Sequence, residues 1–289
     1  MADEIEEQDL TQSIGCILAE PGGALLVDLV TTDYESYWSA LTPISDIAQI
    51  ASNEVSVEIY KEDAWLIDMH RAGNGAIFAC DGDGSVHTNV SGGWAIEPVS
   101  PGKGLRVIRC LDDGSVFTAG TEGIVYRRDP EGWVAASDPL GQWITGMAGT
   151  DAAHLAVCGD GGLVAVLDPS GWTVVDLPSN ATFHCVLVVA EGYLVGGASG
   201  ALYRGASEGW EDLGGSGFDI HGLARRRGEI WAACGAAGAA QLEPNGTLSI
   251  QRSTFAAFCI HASGDYLAFA GNLTAVRYDG AEWKGRRYG

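Results

Sequence analysis

Apolar residues in this chain occur in short runs separated by turn residues. Between positions 143 and 178 the runs read WITGM, HLAVCG, LVAVLD and WTVVDLP. Runs of four to eight residues rich in Val, Leu and Trp, bounded by Gly, Asp and Pro, have the signature of strands. A Gly-x-x-Gly element joins the second run to the third, and Asp168-Pro-Ser-Gly171 joins the third to the fourth. Glycine supplies the positive φ such turns need and proline presets a turn position. The unit therefore predicts one antiparallel, four-stranded sheet.

The unit repeats. The element reads GTEG at Gly120, GDGG at Gly159, GASG at Gly197 and GAAG at Gly235, with degenerate copies DGDG at Asp81 and GNLT at Gly271. Their first residues are 39, 39, 38, 38 and 36 positions apart. Trp94, Trp133, Trp172 and Trp210 each lie ten residues past the element's closing residue; Leu248 takes that place in the fifth copy, and Trp283 comes nine after the sixth. Four strands in about 40 residues match the blade of a β-propeller better than the helix-containing repeats of similar period. The tryptophans then read as rings wedged between blades. The expected fold is all-β, a propeller of four-stranded antiparallel blades, with six clear copies at about 65–103, 104–142, 143–180, 181–217, 218–254 and 255–289. Residues 1–64 predict a degenerate seventh blade, with Trp38 as its ring tryptophan and Pro43 after it, and about 17 extra residues before the next blade. The alternative is six blades and an N-terminal cap, still within one globular domain.

An apolar run ending in Gly-x-x-Gly, a second run and a Gly-Trp turn together resemble short-bladed propellers of the Asp-box and photosystem II assembly-factor type, or of the WD40 type. The resemblance covers about residues 65–289. Asp129-Pro-Glu-Gly132-Trp133 and Asp168-Pro-Ser-Gly171-Trp172 keep only the Asp, Gly and Trp of an Asp-box. It implies the fold and no sialidase chemistry.

Charge narrows the partners. Asp and Glu outnumber Lys and Arg 38 to 16, for a net charge of −22. Affinity for nucleic acid comes chiefly from Lys and Arg displacing counterions, so nucleic acid is not an expected partner. Residues 1–64 hold 14 acids against Lys61 alone, more than half of the net charge in under a quarter of the chain. The amino terminus MADEIEEQDL lacks the basic start and apolar run of a secretory signal, and no apolar stretch is long enough for a membrane helix. The expectation is a cytoplasmic monomer away from membranes. Seven widely spaced cysteines without a CxxC pair read as buried thiols, with no metal site or cofactor expected.

No HExxH, GxSxG, Walker or dinucleotide signature occurs. DGDGS at Asp81 falls in the repeated turn slot and lacks the closing Glu of a calcium loop, so it reads as a turn. Aligning the innermost strands brings Asp68, His184 and His221 to the central channel, where a His and an Asp can act as base and acid. The reading preferred over catalysis is a protein-interaction propeller, in the form of an intracellular inhibitor or immunity protein that neutralises a basic toxin or enzyme. Its expected contact surface uses Asp46, Glu54, Glu58, Glu62 and Asp63, with Tyr34, Tyr37 and Tyr60 as anchors. An assembly factor, a glycan-binding propeller and a channel hydrolase or lyase are the alternatives.

Overall fold

In the computed structural model, which describes residues 10–45, 47, 57–207, 209–215 and 217–288, seven four-stranded sheets follow one another along the chain. The chain is a seven-bladed β-propeller. Each sheet is antiparallel and its strands are consecutive in sequence. The first strands are innermost: Thr11–Ala19, Leu66–Arg71, Leu105–Cys110, Ile144–Asp151, Phe183–Val189, Gly222–Arg226 and Cys259–Ser263. Each packs on the first strand of the next blade, and the last on the first. No helix among the described residues is long and apolar enough to cross a membrane.

Blade 1 is complete but differs from the expected layout. Its outer strand is Tyr60–Glu62, so the extra residues lie between its third and fourth strands rather than after the blade. Trp38 and Pro43 both fall in the third strand, Tyr37–Ile44, so Trp38 does not take the ring-tryptophan role and Pro43 does not follow the outer strand. Tyr60 occupies that place, its ring stacked on Trp94 at 4.0 Å. The repeat pattern missed this because an insertion inside a blade shifts the expected spacing.

The core is divided among seven seams, one between each pair of neighbouring blades. The seam of blades 3 and 4 joins Val107, Phe117 and Val125 to Ile144, Val157 and Ala165, with Trp172 packed against it. Three tryptophans also donate their indole N–H to the preceding blade: Trp94 to Ile59 O at 3.1 Å, Trp133 to Glu97 Oε2 at 2.9 Å and Trp172 to Ala136 O at 3.0 Å. A large ring with a polar tip fits a half-buried seam, since it excludes water and still satisfies its donor.

The Gly-x-x-Gly element is explained by close backbone approach. At Gly162 φ is +82°, and a Cβ would lie 2.1 Å from Ser179 O in the segment crossing to the next blade. At Gly159 the backbone is extended, but a Cβ would lie 1.8 Å from Trp143 O at the head of the inner strand. One glycine is needed for conformation and the other for space.

Candidate functional site

Inner strands of all blades run in the same direction, so their first residues ring one mouth of the central channel. The turns between second and third strands return to that face, because Leu66 pairs with Asp81 and Ile144 with Gly159. Three exposed aromatics stand there, immediately before inner strands: Trp65, Trp143 and Phe258. The Arg106 guanidinium lies near two of them, 5.9 Å from the Trp65 ring and 5.8 Å from Trp143. Tyr37 stacks on Trp65 at 4.8 Å.

The channel below encloses about 660 Å³. Its upper lining comes from a repeated irregularity. Pairing register slips between Leu66 and Asp68, opposite Arg106, between Ile144 and Gly146, and between Phe183 and Cys185. Ile67, Arg106, Thr145 and His184 are thereby left unpaired, as extra residues in a bulge are. His221 and Phe258 hold the corresponding places before Gly222 and Cys259. His184 and His221 stack face to face at 5.2 Å, and Phe258 meets His221 edge-on at 5.1 Å.

Asp68, His184 and His221 all line this channel. Counting back from the turn equates Asp68 with His184, but sheet register equates Asp68 with Cys185, since they pair with Cys80 and Gly196. The carboxylate of Asp68 is engaged elsewhere. Its Oδ2 accepts from Arg109 Nη1 at 2.5 Å and Ile108 N at 3.0 Å, and its Oδ1 from Met69 N at 3.0 Å. The imidazoles of His184 and His221 share no hydrogen bond with it. Burial lowers the pKa of both rings; Asp219 and Asp160 act in the opposite sense on His184, while His184 lowers His221 further and Asp219 opposes. Deeper in the channel His70 and His261 meet edge-to-face at 5.9 Å.

The acidic candidates separate. Asp46 and Glu54 lie outside the described residues. The outer strand Tyr60–Glu62 runs antiparallel to Ser39–Leu41, so it leads from the far face toward the mouth. Exposed Glu58 lies at its far end and exposed Asp63 at the mouth, two residues from Trp65. Half-buried Glu62 accepts the Tyr60 hydroxyl at 3.3 Å. Tyr60 also reaches His87 Nδ1 at 2.8 Å, and His87 Nε2 lies 2.8 Å from Asp81, a buried chain in the seam of blades 1 and 2. Tyr34, 72% exposed, sits in a second-to-third-strand turn at the mouth face.

Asp81 has a local role as well. Its Oδ1 accepts the N–H groups of Asp83 and Ser85, so the DGDGS segment is a capped turn. Sequence reading had not singled out Trp65, Trp143, Phe258, Arg106 or Arg109. A signal existed for two of them: Trp65 and Trp143 both lie 16 positions before the opening residue of their turn elements.

Compared with the known protein families, the chain matches none, and no curated protein matches it either.

Proposed function

We propose that this propeller is a non-catalytic binding module whose working surface is the channel mouth, and that it takes a basic protein partner. The observation that carries the reading is the placement of Trp65, Trp143 and Phe258, three exposed aromatics from three blades, on one face. Trp is among the residues that most often anchor an interface, and Phe is enriched in interface cores. Acidic turn and crossover residues surround them: Glu35, Asp63, Asp83, Glu122, Asp160 and Asp219. Each such charge adds little to affinity once solvated, but together they favour encounter with a cationic surface. The inhibitor form of this function requires that the partner's own activity be masked on binding.

The test is capture of partners from the native cell by tagged protein, alongside Trp143→Ala and the double variant Asp160→Asn/Asp219→Asn. A basic partner should be retained by the parent and lost with Trp143→Ala. The double variant should slow association, most at low salt, and leave dissociation nearly unchanged. An acidic partner, or equal retention by Trp143→Ala, rules out the mouth as the working surface. If the partner is an enzyme or toxin, adding the propeller should suppress its activity. Undiminished activity removes the inhibitor form while leaving the binding reading in place.

A further inference from the structure

Within this strongly acidic protein the channel has a wall of the opposite character. Arg106, Arg109 and Arg225 line it with four imidazoles, against Asp68 and Asp112. The charge of Arg109 is met by Asp68. Arg225 gives a hydrogen bond to Val188 O near the other end of the same strands. Arg106 has no carboxylate partner among the described residues, and its Nε–H is buried without an acceptor.

Two further groups at the same level are unfinished. Among the described residues no atom makes a hydrogen bond to either ring nitrogen of His184 or His221, although stacking fixes their planes. Neutral imidazole offers one N–H donor and one acceptor. The upper channel thus gathers one uncompensated guanidinium and two oriented imidazoles around open space. We propose that this level of the channel is a binding site for a single carboxylate, held by Arg106 and by N–H donors from His184 and His221.

The chemistry selects the group. The Arg106 guanidinium lies within cation–π range of the Trp65 and Trp143 rings, and its planar fork of N–H donors matches a planar carboxylate. One unpaired cation balances one negative charge. A phosphate dianion brings a second charge that the wall does not neutralise, and Asp160 and Asp219 near the histidines repel it further. Phe258 and Ile67 in the same ring give apolar surface to the remainder of the ligand. A free organic acid and the Asp or Glu side chain of a docked peptide offer the same group. This site stands independently of the protein-partner reading.

Trp65 and Trp143 serve as reporters. Hexanoate should change tryptophan fluorescence saturably at constant ionic strength, whereas hexanamide, inorganic phosphate and methylguanidinium should not. Arg106→Gln should weaken the hexanoate response about tenfold or more, a loss of the size expected for one charge-assisted contact. Arg252→Gln, on an exposed outer strand, should leave it intact. N-acetylglutamate amide separates the two sources: tighter binding than hexanoate identifies a peptide side chain, and weaker binding a free acid. Should Arg106→Gln fail to fold, proton NMR of the parent decides the matter. The His184 and His221 imidazoles, which face each other and the carboxylates of Asp160 and Asp219, must titrate at higher pH once hexanoate is bound. Unmoved imidazole midpoints, an undiminished response in Arg106→Gln, or an equal response to hexanamide or phosphate overturns the proposal.

Discussion

His261 on blade 7 accepts the backbone N–H of Ala19 on blade 1 through Nδ1 at 3.0 Å, and so binds the last blade to the first. Among the described residues no sheet contains strands from both ends of the chain. Closure rests instead on this bond, on Ile14 N to Asn272 O at 2.7 Å, on Arg277 to Gly23 O at 2.8 Å, and on the apolar seam of Ile14, Leu25 and Val27 with Ala268, Ala270 and Ala275.

Removing residues 255–289 should therefore be far worse than the loss of one repeat from an open array. It exposes two seams at once, on blades 1 and 6. The expected product is aggregated or largely unfolded by size-exclusion chromatography and circular dichroism. A monomeric truncation with the parent's urea midpoint would show that closure contributes nothing to stability.

Acid should weaken the inner ring through two histidines. His261 must keep Nδ1 unprotonated to accept from Ala19, and His70 likewise accepts from Cys110 N of blade 3 at 3.4 Å. Burial, with Arg109 nearby, lowers His70 to about 3 and His261 to about 4. The unfolded chain takes up these protons below about 6.5 while the native state does not. Their contribution is complete above that pH and is lost as pH falls toward 4, at about 1.4 kcal/mol per unit for each histidine. Urea unfolding from pH 7 to 4.5 should show this loss for the parent and a shallower one for His261→Gln; parallel curves would contradict the assignment.

Asp28 should act with the opposite sign. It is fully buried between blades 1 and 2, with Oδ1 lacking any partner and Oδ2 receiving a long 3.4 Å bond from Ser39. Burial raises its pKa to about 8. The native state thus holds a proton that the unfolded chain releases above about 3.9, and stability declines as pH rises from there to about 8. Asp28→Asn, the uncharged isostere, should be more stable than the parent at pH 7, on the order of 2–4 kcal/mol, and should lose that slope. A less stable variant at pH 8 would mean that the carboxylate is needed in its charged form.

Trp172→Ala removes a seam ring together with its bond to Ala136 O. The ring is half-buried, which places the cost at the lower end for such a truncation, about 3 kcal/mol. Chemical denaturation of parent and variant measures it. A difference under about 0.5 kcal/mol, typical of surface substitutions, would put the ring outside the seam's energetics.

Much of the fold was legible because its physics is local. The turn from Gly159 to Gly162 needs a residue without a Cβ at both ends, so the sequence repeats glycine wherever the backbone repeats that approach. The tryptophans recur for a similar reason, each closing an equivalent seam. Blade 1 was harder to read: Asp33–Ser36 replaces the glycine turn, Tyr60 replaces tryptophan, and the insertion displaces its outer strand.

The channel is the opposite case. Its lining residues lie about 38 positions apart, and which of them face one another depends on a one-residue slip in register that spacing does not reveal. Asp68 and His184 align by count, yet Asp68 is 12 positions from its partner Cys80 while Cys185 is 11 from Gly196, so a hairpin one residue longer in blade 2 puts His184 at the level of Ile67 and leaves Asp68 with Arg109. The sequence by itself determined the repeat, the blade and the seam residues, because each is set by contacts within one unit or with its neighbour. Only the tertiary structure decided that Arg106, near Trp65 and Trp143, lines the same channel as two stacked histidines, because ring closure and bulged register bring together side chains that no local pattern connects.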